Sequence, residues 1–243
     1  LVLYIGDRNY IHQVDQSTVT GEHIYSPFAL DISKPYKITC LGKYGTDILI
    51  GTYINDNVND TDLLTWNTWS RSYSVSDNIK EVGINAFIDG DNFVLVNAGT
   101  NGNLYMYESG KLILYKTIPG DYKGTNACKV NPYATANYKG LPIFGVSNVS
   151  GNPCVQGIYS FGAKRAGFPL VLTMEYPISQ RDEGALVVNN IEIGGLIVVG
   201  NDILASWKDN NDSEAIAYGI DVIDHSNKLS GAYLETRIIN IDR

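Results

Sequence analysis

The sequence predicts an all-β protein assembled from repeated strand modules. Three observations carry that expectation. Strand-type runs rich in β-branched and aromatic residues recur from end to end in modules of roughly 40 to 60 residues, a period that marks stacked or radial repeat architectures. The runs are bounded by Gly, Asn and Asp, the residues that form tight turns. No helical periodicity extends beyond about three turns, and neither heptads nor a low-complexity tract appears.

Taken in order, residues 1–33 offer three runs: Leu1-Val2-Leu3-Tyr4-Ile5-Gly6, Tyr10 to Val14, and Tyr25 to Ile32. Residues 34–80 offer four, beginning with Ile38-Thr39-Cys40-Leu41 and Ile48-Leu49-Ile50-Gly51-Thr52, then Leu63-Leu64-Thr65-Trp66 and Ser72 to Val75. Residues 81–120 repeat the plan with Ile84 to Ile88, Phe93 to Val96, Asn103 to Tyr107 and Lys111 to Tyr115. Residues 121–179 repeat it with Ala134 to Tyr138, Leu141 to Val146, Gly157 to Phe161 and Pro169 to Met174. Residues 180–243 close the series with Ala185 to Ile193, Leu196 to Gly200, Ala217 to Val222 and Ala232 to Ile238. Modules are expected to begin near residues 36, 82, 134 and 185. Asp89-Gly90, Asn101-Gly102 and Ser150-Gly151 are expected to supply the positive φ angles of tight hairpins.

Four antiparallel strands per repeat is the plan of a β-propeller blade, with the first two strands apolar near the axis and the outer two more polar. The chain thus reads as a single propeller domain over 1–243. The first three runs resemble the second to fourth strands of a blade whose innermost strand is missing, so the chain reads as part of a longer polypeptide. Five blades are the leading expectation, with six or more as the alternative.

Composition narrows the partners. The chain has 243 residues, a net charge of −8 and a pI near 4.8. This disfavours nucleic acid, since phosphate binding needs clustered Lys and Arg, and it disfavours anionic membrane surfaces. No run reaches the roughly 18 apolar residues of a membrane-spanning helix.

The chemistry-bearing residues are scattered. Cys40, Cys128 and Cys154 have no metal-type spacing; Cys40 reads as a small buried hydrophobe, and a Cys128–Cys154 pairing is left open. His12, His23 and His225 lie apart, and no nucleophile elbow, P-loop or dinucleotide fingerprint is present. No cofactor, metal or catalytic set is expected. Two loops, Asn55 to Asp62 and Asp209 to Glu214, are dense in oxygen ligands, but neither has the glycine and distal glutamate of a calcium loop, so they read as solvated connections. A glycoside hydrolase would need two carboxylates converging at the axis. Glu192, Asp89 and Asp47 are the available ones, and each reads more simply as a strand-end or turn residue. Tyr is abundant, 17 against 6 Phe and 3 Trp, which suits blade packing, interfaces or sugar stacking. The candidate partner or glycan contacts are Asp56, Asp60, Asp62, Trp66, Trp69, Trp207, Asp209 and Asp212.

Several segments carry a resemblance. Gly157 to Gly162 followed by Pro169 to Ser179, Val198 to Leu204, Ile220 to Asp224 and the Thr65-Trp66-Asn67-Thr68-Trp69-Ser70 turn are similar to segments of propeller-bearing bacteriophage virion proteins. The resemblance spans about the whole chain. It implies a structural module of a tailed-phage virion, assembled in the host cytoplasm, without catalysis. It also implies contacts to other virion proteins, to copies of itself or to a host surface. The competing expectation is a carbohydrate-active propeller, lectin or glycosidase.

Overall fold

The computed structural model describes residues 2–17, 19–120, 127–148, 156–163, 167–178, 191–210 and 217–223. Among these residues the chain is all-β, without a helix. Five antiparallel sheets follow one another in chain order, each a simple meander.

The first sheet contains β1 (Val2–Asp7), β2 (Tyr10–Gln16) and β3 (His23–Asp31). The second contains β4 (Lys37–Tyr44), β5 (Asp47–Tyr53), β6 (Thr61–Trp66) and β7 (Val75–Ile79). The third contains β8 (Ile84–Asp89), β9 (Val94–Ala98), β10 (Asn103–Glu108) and β11 (Lys111–Thr117). The fourth contains β12 (Cys128–Tyr138), β13 (Leu141–Asn148), β14 (Gly157–Gly162) and β15 (Val171–Pro177). The fifth contains β16 (Ile191–Val199), β17 (Asp202–Asp209) and β18 (Ala217–Val222). Residues 185–190 and 232–238, expected as strand, lie outside the described residues, as does the Ser150-Gly151 turn.

Alternation along each strand sends odd and even side chains to opposite faces, and the middle sheets bury both. Leu49 and Leu63 of the second sheet join Phe87, Val94 and Val96 of the third in one core. Ile50, Leu64 and Trp66, one residue out of phase, join Ile11, Leu30 and Ile32 of the first sheet in another. Two further cores fill the gaps between the third and fourth sheets and between the fourth and fifth. Five sheets thus enclose four cores, one per gap, so that each sheet packs chiefly on its chain neighbours.

A recurrent irregularity aligns the sheets. The pairing of first and second strands shifts register between Ile38 and Cys40, Ile84 and Ala86, Val130 and Thr135, and Ile193 and Gly195. β1 and β2 pair without a shift, whereas β2 and β3 shift between Ile11 and Gln13, as β10–β11 and β14–β15 do between third and fourth strands. The β6–β7 pair has no shift, so the third–fourth irregularity is not uniform, whereas the first–second shift recurs in all four later sheets.

The first strands β4, β8, β12 and β16 lie beside one another, with β1 beside β4. Polar staples tie them at the bulges. The Thr39 hydroxyl donates to the Ile84 carbonyl (2.6 Å), the Val130 amide donates to Asn97 Oδ1 (3.0 Å), and the Ile193 amide donates to the Ser147 hydroxyl (2.8 Å). Asn97 is fully buried; it also accepts from Asn85 Nδ2 at 3.0 Å and donates to the Asn103 carbonyl at 3.2 Å.

Three details depart from the sequence reading. The third four-stranded module begins at Cys128, not near 134, because Asn131 to Ala134 form an enlarged bulge around Pro132, a residue that cannot donate to a ladder. The most buried strands are second and third ones, β5, β6, β9 and β14, whereas β4 exposes Lys37, Thr39 and Lys43; interior strands of a four-stranded sheet are flanked on both edges as well as both faces. Gly102 adopts φ 63°, as a tight turn requires, but Gly90 does not share the positive φ. Its hydrogen leaves room for the Phe93 ring, which a Cβ would meet at 2.5 Å.

Asn97→Ala orphans a buried amide and a carbonyl at the junction of the third and fourth sheets. It should cost about 2–4 kcal/mol in urea unfolding, while Lys111→Ala on an exposed strand should stay within about 0.5 kcal/mol.

Candidate functional site

The β6–β7 connection, residues 67–74, is built from the inside outward. Trp66 ends β6 and is 1 % exposed; its ring meets Tyr4 edge-on at 5.5 Å, and Nε1 donates to the Ser70 carbonyl at 2.6 Å. Asn67 Oδ1 accepts from the Trp69 amide (3.1 Å) and the Ser70 amide (3.0 Å), the self-capping that makes Asn a turn residue. Thr68 takes a left-handed φ of 66°, sparsely populated for a β-branched residue. The Ser72 amide donates to Ser70 Oγ, and the Ser74 amide returns the chain to the Thr65 carbonyl. On this braced loop Trp69 is 93 % exposed. Of the two tryptophans of this turn proposed as contacts, Trp66 is therefore a core anchor, which corrects the sequence reading, and Trp69 is the displayed side chain. The W-x-x-W spacing could not separate the two roles, because both residues flank the same turn.

The acid-rich loop lies at the opposite end of β6. Asn78 Nδ2 donates to Asp60 Oδ1 (2.7 Å) and Asp62 Oδ1 (2.9 Å), so one amide bridges both carboxylates. Lys80 Nζ stands 2.8 Å from Asp60, and Ser76 donates to Asp62 Oδ2 at 3.0 Å. The hydrogen bonds from Lys80, the larger contribution, and from Asn78 hold the Asp60 carboxyl below its usual value. Asp56 accepts from the Tyr53 hydroxyl at 3.0 Å. Protein donors therefore occupy oxygens that a cation would need, and no group of three or more ligands suited to a metal ion is found among the described residues.

Asp77 behaves differently. One of its oxygens is buried without a hydrogen-bond partner, and desolvation, with the charge of Asp62 adding to it, raises its carboxyl above the ordinary value. Its alternation with polar neighbours on β7 gave no sign of this in sequence.

Glu81 is a second residue that the sequence did not single out. It is 9 % exposed and its Oε1 accepts from Asn103 Nδ2 (2.6 Å) and the Tyr105 hydroxyl (3.3 Å). Burial and the neighbouring carboxylate push the Tyr105 phenol up to about 12. Gly99, at φ 69°, clears the space, since a Cβ there would lie 2.0 Å from Glu81 Oε2. A shallow cavity of about 140 Å³ opens nearby between the first strands of the second to fourth sheets, lined by Thr39, Asn85, Gly99 and Lys129 among others. Its lining mixes apolar groups of Tyr53, Val82 and Ile84 with polar ones, and Asp56 and Lys129 are its charged residues.

The remaining candidates separate. Trp207 is half-buried on β17 and donates to Asp221 Oδ1 at 2.7 Å, lying over Gly219, where a Cβ would clash with its ring at 2.8 Å. Asp209 ends β17, and Asp212 lies outside the described residues, as do His225 and Cys154. Glu192 pairs across the ladder with Lys208 on the fifth sheet, Asp89 ends β8 on the third, and Asp47 opens β5 on the second, so the three belong to different sheets. Cys40 is a buried thiol pushed up to about 12 by desolvation, as a small core residue would be. His12 stacks on Tyr25 and accepts from or donates to its hydroxyl at 2.9 Å.

No family model matches the chain, and a search of curated proteins finds no relative.

Two outcomes follow from this geometry. Trp66→Ala removes an anchor and should cost about 3–5 kcal/mol, whereas Trp69→Ala should change unfolding free energy by no more than about 0.5 kcal/mol. Asp77 has a folded-state pKa above its ordinary 3.8; the folded state thus favours its protonated form, and the unfavourable contribution is absent below 3.8 and grows as pH rises through the folded value. Asp77→Asn should stabilise the protein at pH 7, and chemical denaturation repeated at lower pH should show that advantage disappearing below pH 3.8.

Proposed function

We propose that this chain is a non-catalytic structural and recognition module of a tailed-phage virion, its five sheets serving as blades of a β-propeller. The observation that carries the recognition role is Trp69, a large amphipathic side chain held outside the core on a loop braced by Asn67 and Trp66. Displaying an indole in water forgoes burial of one of the largest apolar surfaces a residue can offer, and a rigid loop limits the entropy lost when a partner covers it. The virion direction comes from the sequence resemblance around the same Thr65–Ser70 turn.

Several features favour contact over turnover. The acid loop spends its carboxylates on Asn78, Ser76 and Lys80. Glu192 faces Lys208 across its ladder, Asp89 ends β8 and Asp47 opens β5, positions that strand ends and a cross-strand pair account for without a catalytic role. An indole on a rigid loop also suits stacking on a host glycan, which keeps carbohydrate binding, as attachment, within the same proposal.

The test is localisation in purified particles by mass spectrometry, followed by Trp69→Ala in the phage. The variant should keep its melting temperature while particle incorporation or host adsorption falls about tenfold or more. Absence of the wild-type chain from particles, or glycan turnover by the isolated chain, would overturn the proposal.

A further inference from the structure

The four cores between sheets use a consistent polarity. Every sheet from second to fourth has a backward face, packed on the sheet before it, and an onward face, packed on the sheet after it. Among the described residues the first sheet packs through its onward face, with Ile11 and Leu30, and the fifth through its backward face, with Ile193, Ile203 and Ala205.

The two unused faces are apolar. On the first sheet Leu3 pairs with Val14 and Val14 with Tyr25, while Ile5 pairs with His12, so these side chains share the backward face. Leu3, Ile5, Tyr25 and Phe28 are 43–59 % exposed. Phe28 adopts φ 56° and its ring meets Tyr10 at 4.7 Å and His12 at 5.4 Å, so a left-handed non-glycine residue holds an aromatic cluster on this face. On the fifth sheet Ile197 pairs with Leu204 and Leu204 with Val222, and Ser206 pairs with Ile220, which puts them on the onward face. Ile197, Val199, Ile220 and Val222 are 57–67 % exposed. Contiguous exposed apolar faces of this kind mark interaction surfaces.

We infer that the onward face of the fifth sheet in one copy docks on the backward face of the first sheet in a second copy of this chain, extending the sheet series head to tail. The chain carries both halves of that interface, and joining them repeats the face-to-face packing it performs four times within itself. Among the described residues the first and fifth sheets stand at opposite ends of the series with these faces exposed, and a second copy offers the complement of each. Such a contact is heterologous, and it generates rings or open chains according to whether the rotation closes. The inference rests on the sheet faces and not on the virion reading, and the two can fail separately.

The experiment is sedimentation of the 243-residue chain, alone and as two charge-inserted variants. Wild type should show concentration-dependent mass in the micromolar range. Leu3→Glu/Tyr25→Glu blocks the backward face and Ile197→Glu/Ile220→Glu blocks the onward face; each alone should sediment as a monomer, with association weakened about 100-fold or more. Mixed in equal amounts they should form a terminated one-to-one dimer, because each retains the face that the other lacks. All four positions are exposed, and unchanged circular dichroism would verify folding; Leu3→Cys in one copy and Ile220→Cys in another, cross-linking in trans, gives an independent reading. A wild-type chain that stays monomeric at high concentration overturns the inference, whether its end faces stay open or close on each other. So does self-association of either variant alone, which would indicate a symmetric contact.

Discussion

The constraint on which the rest of the structure depends is the alignment of the first strands. Each carries a bulge at its junction with the second strand, and near three of the four bulges a side-chain polar group crosses to the neighbouring sheet. A bulge frees backbone groups from the ladder, and in a buried place those groups need partners. Thr39, Asn97 and Ser147 supply them, each with a different group: the Thr39 hydroxyl donates to a carbonyl, the Asn97 amide oxygen accepts from an N–H, and the Ser147 hydroxyl accepts from an N–H. Hydrophobic packing between sheets is non-directional and would tolerate sliding; the staples set where one sheet sits along the next. Once that register is fixed, the cores between sheets and the loops at their ends fall into place.

Tyrosine does a related task at the sheet tips. Tyr44 and Tyr138 end the first strands of the second and fourth sheets. Tyr44 rests edge-on against Tyr107 while its hydroxyl accepts from the Ser109 amide, and the Tyr138 hydroxyl donates to the Asn201 carbonyl. In both cases a ring lies against the neighbouring sheet and a polar tip secures that sheet's hairpin. The abundance of Tyr over Phe then follows from packing that must end at a wet edge, where Tyr offers an apolar body with a hydrogen-bonding end.

Much of the fold was legible from sequence, because period-two runs and turn residues report local geometry. The order of strands and the four-stranded modules could be read that way. The bulge at Asn131–Ala134 could not, since an extended strand and a strand with four looped residues share the same apolar pattern until the partner strand is known. The site was less legible. Trp66 and Trp69 are chemically alike and three residues apart, and only the indole bond to Ser70 and the packing on Tyr4 decide which one is core. Glu81 and Asp77 were invisible because their significance arises from partners, or the lack of one, contributed by neighbouring strands.

Because the cores lie between consecutive sheets, stability here is close to one-dimensional, a chain of nearest-neighbour couplings. The third sheet is coupled on both sides by filled cores, while each end sheet is coupled on one. Backbone protection against solvent exchange should therefore fall away from β8 and β9 toward β1 and β18, and an unfolding event should fray inward from the ends. Covering either end face would then do more than hold two bodies together: it would change an end sheet into an interior one and raise the protection of every sheet behind it.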